Sequence, residues 1–220
     1  MKTENFIRQG FFSVVLAWFI FYTAKNLDYI PYPDELSAMA REKWQKAGVK
    51  PEMLQDGDLV LRHGRGFVSD ALLSFSTDDP KYSHSGIIKK EGDRIFVYHA
   101  IGGEDQEINK TKKQPLEIFL HPQGIQKFAF YRYDLNPKEL HDFDSLMTRY
   151  YDTGMEFDLD FDMSTDDKMY CSEMIYKALI VATKNKNYIS LSQVFDKPYV
   201  AIDDLYLNSH CHLIYEYLYD

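Results

Sequence analysis

YSHSGIIKKEGDRIFVYHA, residues 82–100, is the stretch that decides the fold. Residues 83–89 and 94–100 read as two strands, and Glu91-Gly92-Asp93 between them is a hairpin turn signal. A hairpin sets the start of one strand against the end of the next, so His84 and His99 are expected almost opposite each other. A base on one strand with its orienting partner on the neighbour is a compact way to fix an imidazole. Taken alone, the two histidines fit a solvated sheet face equally well.

Working outward, Asp56-Gly57-Asp58 is a turn leading into a short strand, Leu59-Val60-Leu61, broken by Gly64 and Gly66. Phe67, Val68, Ala71, Leu72 and Phe75 recur at helical spacing and predict a short helix over 67–75. After a polar loop, Phe128, Phe130 and Tyr131 place a third strand over 126–133. Asn136 as cap and Pro137 at the first position open a helix that ends at Gly154. Its buried face is Leu140, Phe143, Leu146, Met147 and Tyr150. A second amphipathic helix is predicted over 171–183, with Met174, Ile175, Ala178, Leu179 and Ala182 inward, and residues 211–218 read as a strand. The pattern is α+β, a small and mostly antiparallel sheet packed against helices.

Cys171 begins that second helix. The positive end of the macrodipole and the unpaired N–H groups there favour a thiolate, the reactive form. The same N–H groups can hold a developing oxyanion. Position alone leaves Cys171 a modest candidate, because many cysteines are inert packing residues. A cysteine hydrolase also needs a base and an orienting group, and His84 and His99 offer both. Two histidines and a cysteine could instead bind zinc, but no tight C-x-x-C or H-x-x-x-H pair supports a metal. Glu173, in the first turn, suits either a helix-terminal carboxylate or a contact to a substrate amine. Tyr82 and Tyr170 flank the candidates and could line a substrate pocket, although with 17 tyrosines packing is the default.

In order, Asp56-Gly57-Asp58-Leu59-Val60, Tyr82-Ser83-His84-Ser85-Gly86-Ile87, Val97-Tyr98-His99-Ala100 and Tyr170-Cys171-Ser172-Glu173-Met174-Ile175-Tyr176 resemble the YiiX/YebB-like group. These are circularly permuted relatives of NlpC-type papain-fold cysteine peptidases. In papain the cysteine precedes the histidine; in this group, as here, the order is reversed. The resemblance implies a permuted papain-like domain with Cys171 as nucleophile, His84 as general base and His99 as orienter, and no cofactor. Many YiiX-like members carry glutamate at the third position, whereas His99 is similar to the histidine of unpermuted NlpC-type enzymes.

The 220 residues suit one domain with a short appendage. A formal charge of −9 argues against a nucleic-acid partner. Lys2 and Arg8 precede an apolar run, residues 11–24, opening at Phe11, which reads as a secretory signal region. The run is short for a transmembrane helix, which needs about 20 apolar residues, and Tyr22 makes cleavage after Ala24 poor. The expected division is a signal peptide or membrane anchor (an N-terminal apolar helix) over 1–26, a helical linker over 27–51, and the hydrolase domain over 52–220. Localisation follows as the cell envelope, periplasmic or otherwise extracytoplasmic, with membrane association possible through residues 11–24.

The run Asp158-Leu159-Asp160-Phe161-Asp162 fails the EF-hand pattern and alternates as a half-buried strand would. Cys211, the second of two cysteines, reads as structural, as a stray thiol, or as half of a disulfide. Export and resemblance together imply hydrolysis of amide bonds in peptidoglycan-type peptides. The rivals are a lipid acyl hydrolase or acyltransferase of the lecithin:retinol acyltransferase type, acting on a lipid-like acyl substrate, and a non-catalytic envelope binding domain.

Overall fold

A computed structural model describes residues 42, 46–102, 109–194 and 197–219. The expected apolar helix and signal region over 1–26 lie outside the described residues. Six strands form one antiparallel sheet: β1 (Leu59–Gly64), β2 (His84–Glu91), β3 (Arg94–Ile101), β4 (Lys110–Pro115), β5 (Ile125–Tyr133) and β8 (Cys211–Leu218). Their order across the sheet is β4-β3-β2-β1-β5-β8. A small ribbon, β6 (Ser192–Val194) with β7 (Lys197–Tyr199), stands apart. The helices are α1 (Phe67–Leu73), α2 (Leu116–Phe119), α3 (Pro137–Asp152) and α4 (Cys171–Thr183).

Both faces of the sheet are buried, and the two-residue strand period divides their side chains. Leu59, Leu61, Ile87, Tyr98, Ala100, Ala129 and Tyr131 meet α3 and α4 through Phe143, Met147, Met174 and Ile175. Val60, Ile88, Val97, Phe128 and Phe130 meet Leu116, Phe119, Leu120 and the segment carrying Val49 and Leu54 on the other side. The α3 cap forms as the sequence indicates. Asn136 accepts from the Lys138 and Glu139 amides, both at 3.0 Å, and Glu139 accepts from the Asn136 amide. Asp58 of the opening turn is fully buried, and its carboxylate takes two 2.7 Å bonds from Arg132 on β5. That ion pair ties the turn to the sheet.

Two expectations change. The polar loop before residue 126 contains β4, whose sequence KTKKQP has no apolar alternation. Its backbone pairs with β3 as an edge strand, and Thr111 is its one buried side chain. Residues 158–162 form a loop, not a strand. Asp158 is buried there because it accepts from the amides of Asp160 and Asp162, so its carboxylate shapes the loop rather than decorating a sheet.

Candidate active site

The first residue of β2 is His84 and the first residue of α4 is Cys171. The sheet register pairs Ile87 with Tyr98. Continuing it sets Gly86, not His84, beside His99, so the expected opposition is off by two residues. His84 reaches His99 diagonally, and its Nε2 lies 2.9 Å from His99 Nδ1. Gly86 makes room for this, since a Cβ there would stand 3.2 Å from His99 Cβ and 2.4 Å from Val97 Cγ1.

The two imidazoles meet edge to face, and both pack on Phe119 of α2. Arg62, the β1 partner of His84, lies over the same Phe119 ring at 4.1 Å and donates to its carbonyl. Lys112 is the β4 partner of His99. Burial first, then the Arg62 charge, holds His84 well below its ordinary range. His99 is lowered by burial and then by His84, Arg62 and Lys112. Both imidazoles are therefore neutral at pH 7. His84 Nδ1 makes no hydrogen bond among the described residues, and His99 Nε2 is buried without a partner there.

Cys171 is a free thiol, half-buried, and so is Cys211; no disulfide joins them. The Cys171 sulfur lies against Ser85, whose amide and hydroxyl both favour its ionised form. It therefore sits at the peptide that leads out of His84, although it makes no hydrogen bond to either imidazole in this structure. Burial outweighs these contacts and pushes the thiol up from its usual range. The helix terminus alone predicts the opposite direction, so desolvation wins over the macrodipole here. Cys211 is also pushed up, by burial above all.

The flanking motif positions the cysteine. Tyr170 hydroxyl accepts from the Val200 amide at 2.8 Å, and Ser172 donates to the Val200 carbonyl at 2.7 Å. These two residues clamp one peptide position from either side of Cys171. Glu173 is fully buried, accepts from the Tyr170 amide at 3.2 Å and pairs with Lys177 at 3.0 Å. Its carboxyl is pushed up to about 7, by burial above all. Tyr82 is fully buried and bonds Glu216. Glu173, Tyr82 and Tyr170 are thus buried and packed into the fold, Tyr170 with 3% of its surface exposed. Ser85, Arg62, Phe119 and Lys112 adjoin the site without a sequence signal of their own; the sheet register reveals the first, second and fourth, and the ring contacts of the histidines reveal Phe119.

A helix that opens on a cysteine, packed on an antiparallel sheet whose histidine precedes it in the chain, is the arrangement of a papain-type fold in permuted order. The chain belongs to the permuted papain-like amidase family of YaeF and YiiX, C92, whose model matches residues 53–201. Among solved structures it is similar to the crystal structure described as metalloprotein yiiX from Escherichia coli O157:H7. Identity is 18% and the TM-score 0.60, covering 76% of this chain and 99% of that one. No curated protein matches the sequence.

A metal does not fit the residues seen here. Among the described residues no group of three or more His, Cys, Asp or Glu side chains converges. The facing histidine nitrogens bond each other, and cationic Arg62 and Lys112 flank them.

Proposed function

We propose that this amidase is a Cys-His-His enzyme acting on peptide amides of the cell envelope. The observation that carries the reading is the 2.9 Å His84–His99 contact at the start of β2, where the next residue, Ser85, meets the helix-terminal Cys171. For His84 to act as base its Nδ1, the nitrogen nearer the backbone, must be unprotonated. Its Nε2–H then donates to His99 Nδ1, which fixes the tautomer and the ring plane.

The Cys171 proton passes to His84 Nδ1 as sulfur attacks the amide carbon. The carbonyl electrons move onto oxygen, where the free N–H groups at the start of α4 stabilise the charge. Collapse breaks the C–N bond, and the amine leaves with the proton from His84. Water then gives a proton to His84 and attacks the thioester, the C–S bond breaks, and sulfur recovers the proton. Because thiol and imidazole are both neutral at rest, transfer occurs with attack and not from a stored ion pair. The thiol–imidazole bond, absent at rest, forms in this reading when substrate is bound, as catalytic hydrogen bonds often do.

Peptidoglycan-type peptides are the proposed substrates, and an envelope location through residues 1–26 the proposed setting. Support comes from the family's amidase description and from the basic-then-apolar N-terminal sequence. The test is a mass-spectrometric screen of muropeptides and phospholipids with wild-type and Cys171→Ala protein. Cleaved muropeptide amides that disappear with the substitution are expected. Phospholipid turnover instead would favour the lipid reading.

A further inference from the structure

The Ser85 side chain is unexplained by packing. It is completely buried on the helix face of β2, opposite Leu61, and its hydroxyl has no hydrogen-bond partner among the described residues. A buried hydroxyl without a partner costs stability, and alanine would fill the position without that cost. Among the described residues the reactive group it approaches is the Cys171 sulfur, which the Ser85 amide also approaches. The Ser85 hydroxyl is thus left to serve the sulfur.

We propose that Ser85 is a further catalytic residue, whose hydroxyl and amide together donate to the Cys171 thiolate as it forms and as it leaves the thioester. The proposal rests on Cys171 being the nucleophile. Its physical basis is the strength of hydrogen bonds to an ionised acceptor, roughly twice that of neutral pairs. In the resting enzyme the thiol is neutral and asks little of the hydroxyl. Once the proton has gone to His84, the sulfur carries a full charge inside the protein, where the Ser85 donors, with the amides of Cys171 and Ser172, replace the water it has lost. The arrangement explains why burial that opposes ionisation can coexist with a nucleophile: the compensating donors stand already in place.

The test uses the full chain with Cys211→Ser as background, so that Cys171 is the only thiol. Iodoacetamide alkylation is followed against pH, beside thermal unfolding, for Ser85 and for Ser85→Ala. The expected result is an alkylation midpoint raised by about one pH unit, hence about tenfold slower labelling at neutral pH. Tm should be unchanged or higher in Ser85→Ala. A midpoint that stays put, whatever Tm does, overturns the proposal. Alkylation needs no substrate, so this result stands apart from the amidase mechanism. If Cys171→Ala still cleaved amides while Ser85→Ala moved the midpoint, the mechanism would fail and the Ser85 contact would survive.

Discussion

His84 and His99 touch across a diagonal of the hairpin, Nε2 to Nδ1 at 2.9 Å, because the residue between them on the facing strand is a glycine. The His-x-Gly spacing is thus a steric requirement of the imidazole pair. Gly86→Ala would drive a methyl into Val97 and His99. Overpacking of this kind costs about 1–3 kcal/mol. The expected outcome is a lower Tm together with a fall in kcat/KM larger than the stability loss explains, measured by thermal unfolding and amide turnover.

His99→Ala removes the orienter but leaves thiol and base. General acid–base catalysis contributes about 100-fold or more, and a wrongly held imidazole forfeits most of it. A drop in kcat of about 100-fold with KM little changed is expected from steady-state kinetics. An unchanged kcat would reassign His99 to packing.

Burial and Arg62 keep His84 and His99 well below the ordinary 6.5. Between the folded and unfolded values the unfolded chain binds more protons, so their contribution to stability is present above about pH 6.5 and is lost as pH falls. The base also stays unprotonated to lower pH, so the acid limb of kcat/KM should lie below 6.5. Urea unfolding between pH 7 and 5 should show the loss, and a His84→Gln/His99→Asn double variant should flatten it.

Glu173 titrates with the opposite sense. Its folded value is near 7 against 4.5 when free, so the folded chain holds an extra proton between those limits. Stability from this group is complete below about pH 4.5 and declines through pH 7, by on the order of 3 kcal/mol. Glu173→Gln, compared with wild type by urea unfolding at pH 5 and 8, should remove that decline.

Arg132→Met would strand the Asp58 carboxylate, which is fully buried and doubly bonded to the guanidinium. Breaking a buried pair from one side costs about 3–5 kcal/mol. A loss of that size in unfolding free energy is expected by urea denaturation, with kcat unaffected in the protein that remains folded.

Much of this molecule was legible from local pattern. Asn136-Pro137 announced a capped helix, Glu91-Gly92-Asp93 a hairpin, and the ordered motifs around His84, His99 and Cys171 a permuted papain-like domain. What escaped lies in tertiary context. KTKKQP is a strand because β3 offers it an edge, not because its residues alternate. The acidic run at 158–162 alternates but spends Asp158 on its own backbone. The diagonal of the histidine pair required the register, and the direction of the Cys171 shift required knowing how deeply the sulfur is buried. Ser85 carries no local signal, since the sulfur it meets belongs to a residue 86 positions away.

The most direct test of the account is intact-mass and peptide-mapping spectrometry on enzyme quenched during turnover of a peptide amide. The account predicts an acyl group, thioester-linked and lost to hydroxylamine, on Cys171 alone, absent in Cys171→Ala and strongly reduced in His84→Ala. Undiminished amide cleavage by Cys171→Ala, with no acyl group on the cysteine of the wild type, would contradict it.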